Sequence, residues 1–353
     1  MGEFLPWLNL HTAKMSKINH AYIFSMLSLF FLGGLIGGCA ASNRMKTQFE
    51  RQMRYAQKVN MVVDMRMMFP GADHQESEVV LDYLVEDSDR QGNSTVKVTV
   101  RSIKASMRSL MISCSYDSSV PLPDSSSPDK NAKDHQKKYE ASFSGIAGSS
   151  YRALVDKNGR VTQLTKVDDR IGKLSEKPIE NGSFGGYQLA LLFSPHHLRE
   201  YVVPALLTAC ENQPPRVNES WVSYEPAESP RTSPVPFKKT CRIESIDEHS
   251  GDRVAKVTFT GEGAPGKELP AYAQPGNKQI KDEMEIVKVE HNSGDLTFSL
   301  SRGRLLKLHE KLITEVNIAG RYRRDQSLTQ ADKEKPKQKI YYLVDKTIEY
   351  LHN

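Results

Sequence analysis

The sequence predicts a mainly β (α+β) protein: two antiparallel β-meander lobes, forming curved sheets or half-barrels, around a central helical segment. Three observations predict it. Apolar and polar residues alternate with period two over long stretches of both halves, as in strands with one buried face. Gly-, Asn- and Pro-containing turns separate many of these stretches at short intervals. One block in the middle, rich in Leu and Ala, loses the alternation and takes on helical composition.

The first alternating stretch is long. Phe49, Met53, Tyr55, Val59, Met61, Val63, Met65, Met67 and Phe69 share one parity, and Arg54, Lys58, Asn60, Asp64 and Arg66 the other. A strand of that length is expected to bend or bulge. Pro70-Gly71 ends it, and strands with Val79, Leu81, Tyr83 and Val85, then Val96, Val98 and Val100, complete a meander across the Gln91-Gly92-Asn93 turn. Residues 115–138, rich in Ser, Asp, Pro and Lys, read as a mobile surface excursion. A hairpin turning at Asp156-Lys157-Asn158-Gly159 closes the first lobe.

Gly182 to Gly186 reads as a hinge before helix. Ser194-Pro195 has the form of an N-cap followed by proline at the first helical position, and Pro204 should kink or divide the helical piece that Pro195 begins. Beyond Pro214 the pattern is β again, with loops at 225–236 and 261–277, a turn at 291–295 and a charged linker at 325–337. The expected divisions are 1–38 signal peptide, 39–47 lipidated anchor and tether, 48–167 first lobe, 168–213 helical middle and 214–353 second lobe.

The 353 residues are 38% hydrophobic and 26% charged, with a net charge of +5, values that exclude a wholly disordered chain, a collagen and a polytopic membrane protein. The mild, diffuse positive charge gives no nucleic-acid footprint. One segment departs from the average: AYIFSMLSLFFLGGLIGG at 21–38, after Lys14, Lys17 and His20 and directly before Cys39. A charged start, an apolar stretch and small residues before a cleavage point mark a secretory signal, whose first codon is Met1 or Met15. IGGC at 36–39 resembles the bacterial lipobox. That resemblance implies cleavage before Cys39 and a diacylglycerol on its sulfur, a membrane anchor when further acyl chains join it. An uncleaved anchor or an ordinary signal cut near Ala40-Ala41 are the competing readings. The expected place is the bacterial cell envelope, with the chain facing the periplasm or exterior.

After the lipobox come KVNMVVDMRMM at 58–68, SYDS at 115–118, LVDKNGRVTQL at 154–164, PPRVNESW at 214–221, GDLTFSL at 294–300 and GRL at 303–305. This order resembles a family of uncharacterised secreted lipoproteins of planctomycete-type bacteria, known only as a domain of unknown function. The likeness spans most of residues 45–325 and implies fold and address, with no catalytic residues to carry over. Asn218 stands where that family usually has glycine, and asparagine tolerates a left-handed turn.

No motif names a reaction. GxSxG and P-loop patterns are absent from the sequence. His196 and His197 point about 100° apart on a helix, a poor geometry for one ion, and read as a polar first turn. Asp156-Lys157-Asn158-Gly159 lacks the later ligands of a calcium loop. Cys114, Cys210 and Cys241 remain after lipidation, of which an exported protein could oxidise any pair. Met53, Met61, Met65 and Met67 read either as one core face or as a lining adaptable to apolar ligands; Trp221, Tyr341 and Tyr342 read as packing residues. The expectation is therefore a non-catalytic envelope lipoprotein without cofactor or metal, binding an apolar ligand or envelope partner on a concave sheet. A structural lipoprotein that makes contacts through its surface loops and a hydrolase with an unrecognised site are the alternatives.

Overall fold

The computed structural model describes residues 45–66, 73–110, 112–120, 130–176, 184–208, 210, 215–228, 234–249, 251–273, 284–318 and 338–351. The chain divides into residues 1–41 and 42–353, and only the second unit is described. The expected signal segment, Cys39, Met67 and the 325–337 linker lie outside the described residues. No helix among those described is long and apolar enough to cross a membrane.

Among the described residues, twelve strands form one antiparallel sheet: β1 (Arg54–Arg66), β2 (Asp73–Ser88), β3 (Ser94–Arg108), β4 (Ser113–Asp117), β5 (Ser150–Val155), β6 (Val161–Thr165), β7 (Ser220–Ala227), β8 (Val235–His249), β9 (Asp252–Gly263), β10 (Met284–Ser299), β11 (Arg304–Ile318) and β12 (Gln338–Leu351). Their order is β6-β5-β3-β2-β1-β12-β11-β10-β9-β8-β7, with β4 also on β3, and the sheet does not close into a barrel. Two meanders are present as expected, but they are halves of one sheet rather than separate lobes. The last strand joins them: β12 pairs with β1 from Ala56↔Leu351 to Arg66↔Tyr341, and with β11 on its other side. Long-range pairing of this kind leaves no mark in local periodicity, because either strand satisfies its alternation with any neighbour.

One face carries the core. Val59, Met61, Val63, Leu81, Tyr83, Val98, Ile243, Val257, Phe298, Leu308, Val344 and Ile348 are all buried, and they belong to a single apolar cluster that also includes the helices. No bulge interrupts β1, whose register with both neighbours is unshifted. Register shifts fall instead between β2 and β3, at Val80/Leu81 and Val85/Asp87, and in the β5–β6, β8–β9 and β10–β11 pairs. The turn expected at 291–295 is instead the middle of a central strand, with Gly294 paired to Glu310 on one side and Phe259 on the other. A Cβ at Gly294 would fall on the His309 carbonyl and the Phe259 ring, so glycine here serves close packing rather than a turn.

Five helices among the described residues cover the apolar face or its margin: α1 (Lys130–Phe143), α2 (Asp169–Glu176), α3 (Phe184–Leu192), α4 (Pro195–Glu200) and α5 (Ala205–Thr208). The surface excursion expected at 115–138 therefore becomes the end of β4 and much of α1, tied by Gln136 to both backbone groups of Ser115. Gly185 and Gly186 lie inside α3 rather than in a hinge, and at Gly185 a Cβ would meet the Phe143 and Tyr139 rings of α1. Ser194 is the N-cap of α4, accepting from His197 N with Pro195 behind it, and α4 ends before Pro204. Asn218 does adopt the left-handed region, at φ 69°. Tyrosine hydroxyls fasten the cover to the sheet: Tyr151 donates to Leu198 O at 2.9 Å and Tyr83 lies 2.9 Å from Tyr201 O. Within the cover itself, Tyr201 donates to Leu192 O at 2.8 Å. Such carbonyls at helix ends otherwise lack partners.

Candidate functional site

The centre of the covered face is polar. From β7 come Ser223 and Glu225, from β8 Lys239, from β10 Asn292, from β11 Glu310 and from β12 Lys346, all buried. These groups interrupt apolar rows, as Lys346 does between Val344 and Ile348, and Glu310 between Leu308 and Leu312. Above them α4 presents His196, His197 and Glu200, and Glu228 follows β7. His196 and Glu200 share a face because they are one helical turn apart.

The charges form a chain. Lys346 Nζ is 2.5 Å from Glu200 Oε2 and 3.0 Å from Glu310 Oε2; Lys239 Nζ is 2.7 Å from Glu310 Oε1 and 2.7 Å from Glu225 Oε2. Asn292 donates to Glu310 Oε1 at 2.8 Å, and Ser223 to Glu225 Oε1 at 3.0 Å. The Lys239–Glu225 contact lacks hydrogen-bond alignment, and Glu200 Oε1 is buried with no donor among the described residues. Burial alone would raise the carboxyl of Glu200, but Lys346, His196 and Lys239 outweigh it and hold the group at about 2. Glu310 is held well below the usual carboxylate range against its burial by Lys239 and Lys346. Both lysines face the burial penalty on their charged form and are nonetheless held above the usual lysine value, by Glu225 and Glu310 at Lys239 and by Glu200 and Glu310 at Lys346. Burial pushes His196 down, toward the neutral ring.

Ser194, His197 and Glu228 make a second knot. Ser194 Oγ donates to Glu228 Oε2 at 2.5 Å and lies 3.0 Å from His197 Nδ1, and the same Glu228 oxygen is 3.3 Å from Nδ1. Serine and carboxylate meet one ring nitrogen, so the imidazole does not stand between them as it must in a nucleophile–base–acid relay. The knot holds the start of α4. Beside the charges is a void of about 30 Å³, lined by His196, His197, Glu228, Lys239, Glu310 and Lys346, with room for a water or an ion and no more. A separate open groove of about 650 Å³ lies beside β1–β4 and α1, lined by Val62, Ala105, Tyr116 and Val120 together with Glu76, Glu78, Asp117, Glu140 and Lys104.

His196 and His197 lie in the first turn of α4, as expected, and both are buried there. Met61 is buried in the core face, Met53 and Met65 pack at its margin, and Trp221 packs there with Nε1 donating to Leu206 O at 2.7 Å. Tyr342 is buried, while Tyr341 stands on the opposite face, 36% exposed. Cys114, Cys210 and Cys241 are buried free thiols. Sequence reasoning missed Glu200, Glu225, Lys239, Glu310 and Lys346. The available signal was a charge at a core-parity position in an otherwise apolar strand.

No protein-family model matches the chain, and no curated protein matches it at a significant level. Among solved structures, one titled for lipid–protein interactions in lipovitellin aligns over 86% of this chain at 8% identity and TM-score 0.40. This chain spans about a quarter of that protein's length, 26%. DynF of the dynemicin pathway of Micromonospora chersina aligns over 86% of this chain and 83% of its own, at 6% identity and TM-score 0.18. A LolA-superfamily protein of Nitrosomonas europaea aligns over 89% and 92%, at 9% identity and TM-score 0.16. None of these likenesses is close enough to bear on what this chain does.

Proposed function

We propose that the chain is a non-catalytic lipoprotein of the bacterial envelope, anchored through Cys39, whose sheet holds an apolar ligand such as a lipid chain. The observation that carries the reading is the apolar face of the twelve-stranded sheet, interrupted at its centre by the buried charges. Its cover is a set of helices from the same chain, not a second sheet. Four of the five helices have nine residues or fewer. Short helices hold little structure of their own and depend on packing, so a ligand chain reaches the face by taking their place. In the Ser194–His197–Glu228 knot the serine and the carboxylate crowd one ring nitrogen, an arrangement that supports a binding role over hydrolysis.

Native mass spectrometry of the unit from residue 42 onward tests the ligand. A co-purifying lipid mass that organic extraction removes and added lipid restores is the expected result; a bare chain that takes up neither fatty acid nor phospholipid overturns it. Palmitate labelling tests the anchor: Cys39→Ala should lose both label and membrane fractionation, and retention of both would refute lipidation at that residue.

A further inference from the structure

The buried charges under α4 do not balance on lysine. Among the described residues there, three buried carboxylates, Glu200, Glu225 and Glu310, share two ammonium groups, Lys239 and Lys346. That leaves one negative charge which no lysine balances, in a buried region where uncompensated charge is strongly disfavoured.

The excess has a focus. One nitrogen of His196 and one carboxylate oxygen each of Glu200 and Glu225 lie within 4.8 Å of one another. Three ligands each about 2.1 Å from a common ion stand roughly 3.4–3.6 Å from one another, so side-chain movements of about 1 Å bring the three into range. Lys346 holds Oε2 of Glu200, and the buried Oε1 has no donor among the described residues. Oε2 of Glu200 also lies 3.9 Å from His196 Nε2, so a carboxylate with one bare oxygen stands beside an imidazole and a second carboxylate, a set that a cation would take. His196 also borders the void of about 30 Å³, which has room for one water.

We propose that His196, Glu200 and Glu225 bind one divalent first-row cation, with Zn²⁺ the best match to one imidazole and two carboxylates. The lysines remain on the outer oxygens of the ligating carboxylates. The ion ties α4 to β7, so it acts as a structural clasp on the helical cover. The site is independent of the ligand reading, and either can fail alone.

The full chain, stripped with EDTA and titrated with Zn²⁺, tests the site by calorimetry and thermal unfolding. One equivalent per chain and a raised Tm are expected. Co²⁺ in place of Zn²⁺ should give visible d–d bands, and X-ray absorption should show one imidazole among oxygen ligands. His196→Ala and Glu225→Gln should each weaken binding by more than the roughly 10–100-fold that loss of an outer-sphere partner costs. His74→Ala and His309→Ala, at the exposed His–Asp clusters, should leave it unchanged. The spectra of the unaltered chain decide the matter even where a variant fails to fold. No stoichiometric uptake, uptake unaffected by His196→Ala, or an unchanged Tm on adding Zn²⁺ would each overturn the proposal.

Discussion

Lys346 Nζ stands 2.5 Å from Glu200 Oε2, a contact that joins the last strand to α4 across 146 residues of sequence, with both side chains shut off from solvent. The helical cover and the sheet are thus tied by charge at their centre and by tyrosine hydroxyls around it. Truncating one partner of such a pair strands the other. Lys346→Ala is expected to destabilise the chain by roughly 3–5 kcal/mol, measured by urea unfolding in EDTA. The double replacement Glu200→Gln with Lys346→Met should cost clearly less than the two single costs summed, because the pair acts as a unit.

Ser194 has two tasks, capping α4 at His197 N and donating to Glu228. Ser194→Ala should lose roughly 0.5–2 kcal/mol, toward the upper end, because a cap is lost and a buried carboxylate loses its donor. Ser194→Asp, which caps equally well but sets a second carboxylate against Glu228, should recover none of the loss. Thermal unfolding of the two variants beside the unaltered chain checks both outcomes.

Gly294→Ala should destabilise by about 1–3 kcal/mol or more, since the new methyl group would meet the His309 carbonyl and the Phe259 ring. Gly263→Ala, at a glycine whose Cβ position is open, should be nearly neutral. Urea midpoints of the two variants check the contrast.

His74 is raised by its hydrogen bonds to Asp64 and Glu76, at 2.5 Å and 2.8 Å. The folded-state value exceeds the unfolded value of about 6.5, so the folded chain holds the proton more tightly. The contribution is complete below about 6.5 and is lost as pH rises through the raised folded value. Its size is limited by solvent screening, because the ring is 35% exposed. An NMR titration of His74 should show the raised midpoint, and His74→Gln should flatten stability across that window.

Cys241 is pushed up to about 12 and Cys210 to about 11, chiefly by burial, and Cys114 is raised for the same reason. None forms thiolate near neutral pH, and thiolate is the reactive form. Iodoacetamide at about pH 8 should leave all three unmodified in the folded chain and label them once urea unfolds it, read by mass.

Most strands were legible because their signal is local. In β2 and β3 the alternation of Val79, Leu81, Tyr83 and Val85 with polar residues is the buried–exposed pattern of the sheet itself. The Ser194-Pro195 cap was legible for the same reason. The failures came where distant chain decided the outcome. Gly294 resembles a turn glycine until Phe259 and His309 pack against it, and residues 130–138 are polar enough to read as loop until Tyr139 and Phe143 dock beside α3. The candidate site was the least legible part. His196 and His197 carry no sign of burial in their own segment, and Glu200, Glu225, Glu310 and Lys346 lie far apart in sequence.

By itself, then, the sequence determined most of the strands, their faces and the helical break in the middle, all of which follow from the spacing of apolar side chains along the chain. Only the tertiary structure decided that β12 closes against β1 to make one sheet, and that four strands and one short helix bring their buried charges together. Pairing partners and charge neighbours are set by which long-range arrangement buries the most apolar surface with its polar groups satisfied, and that is a property of the whole chain rather than of any segment.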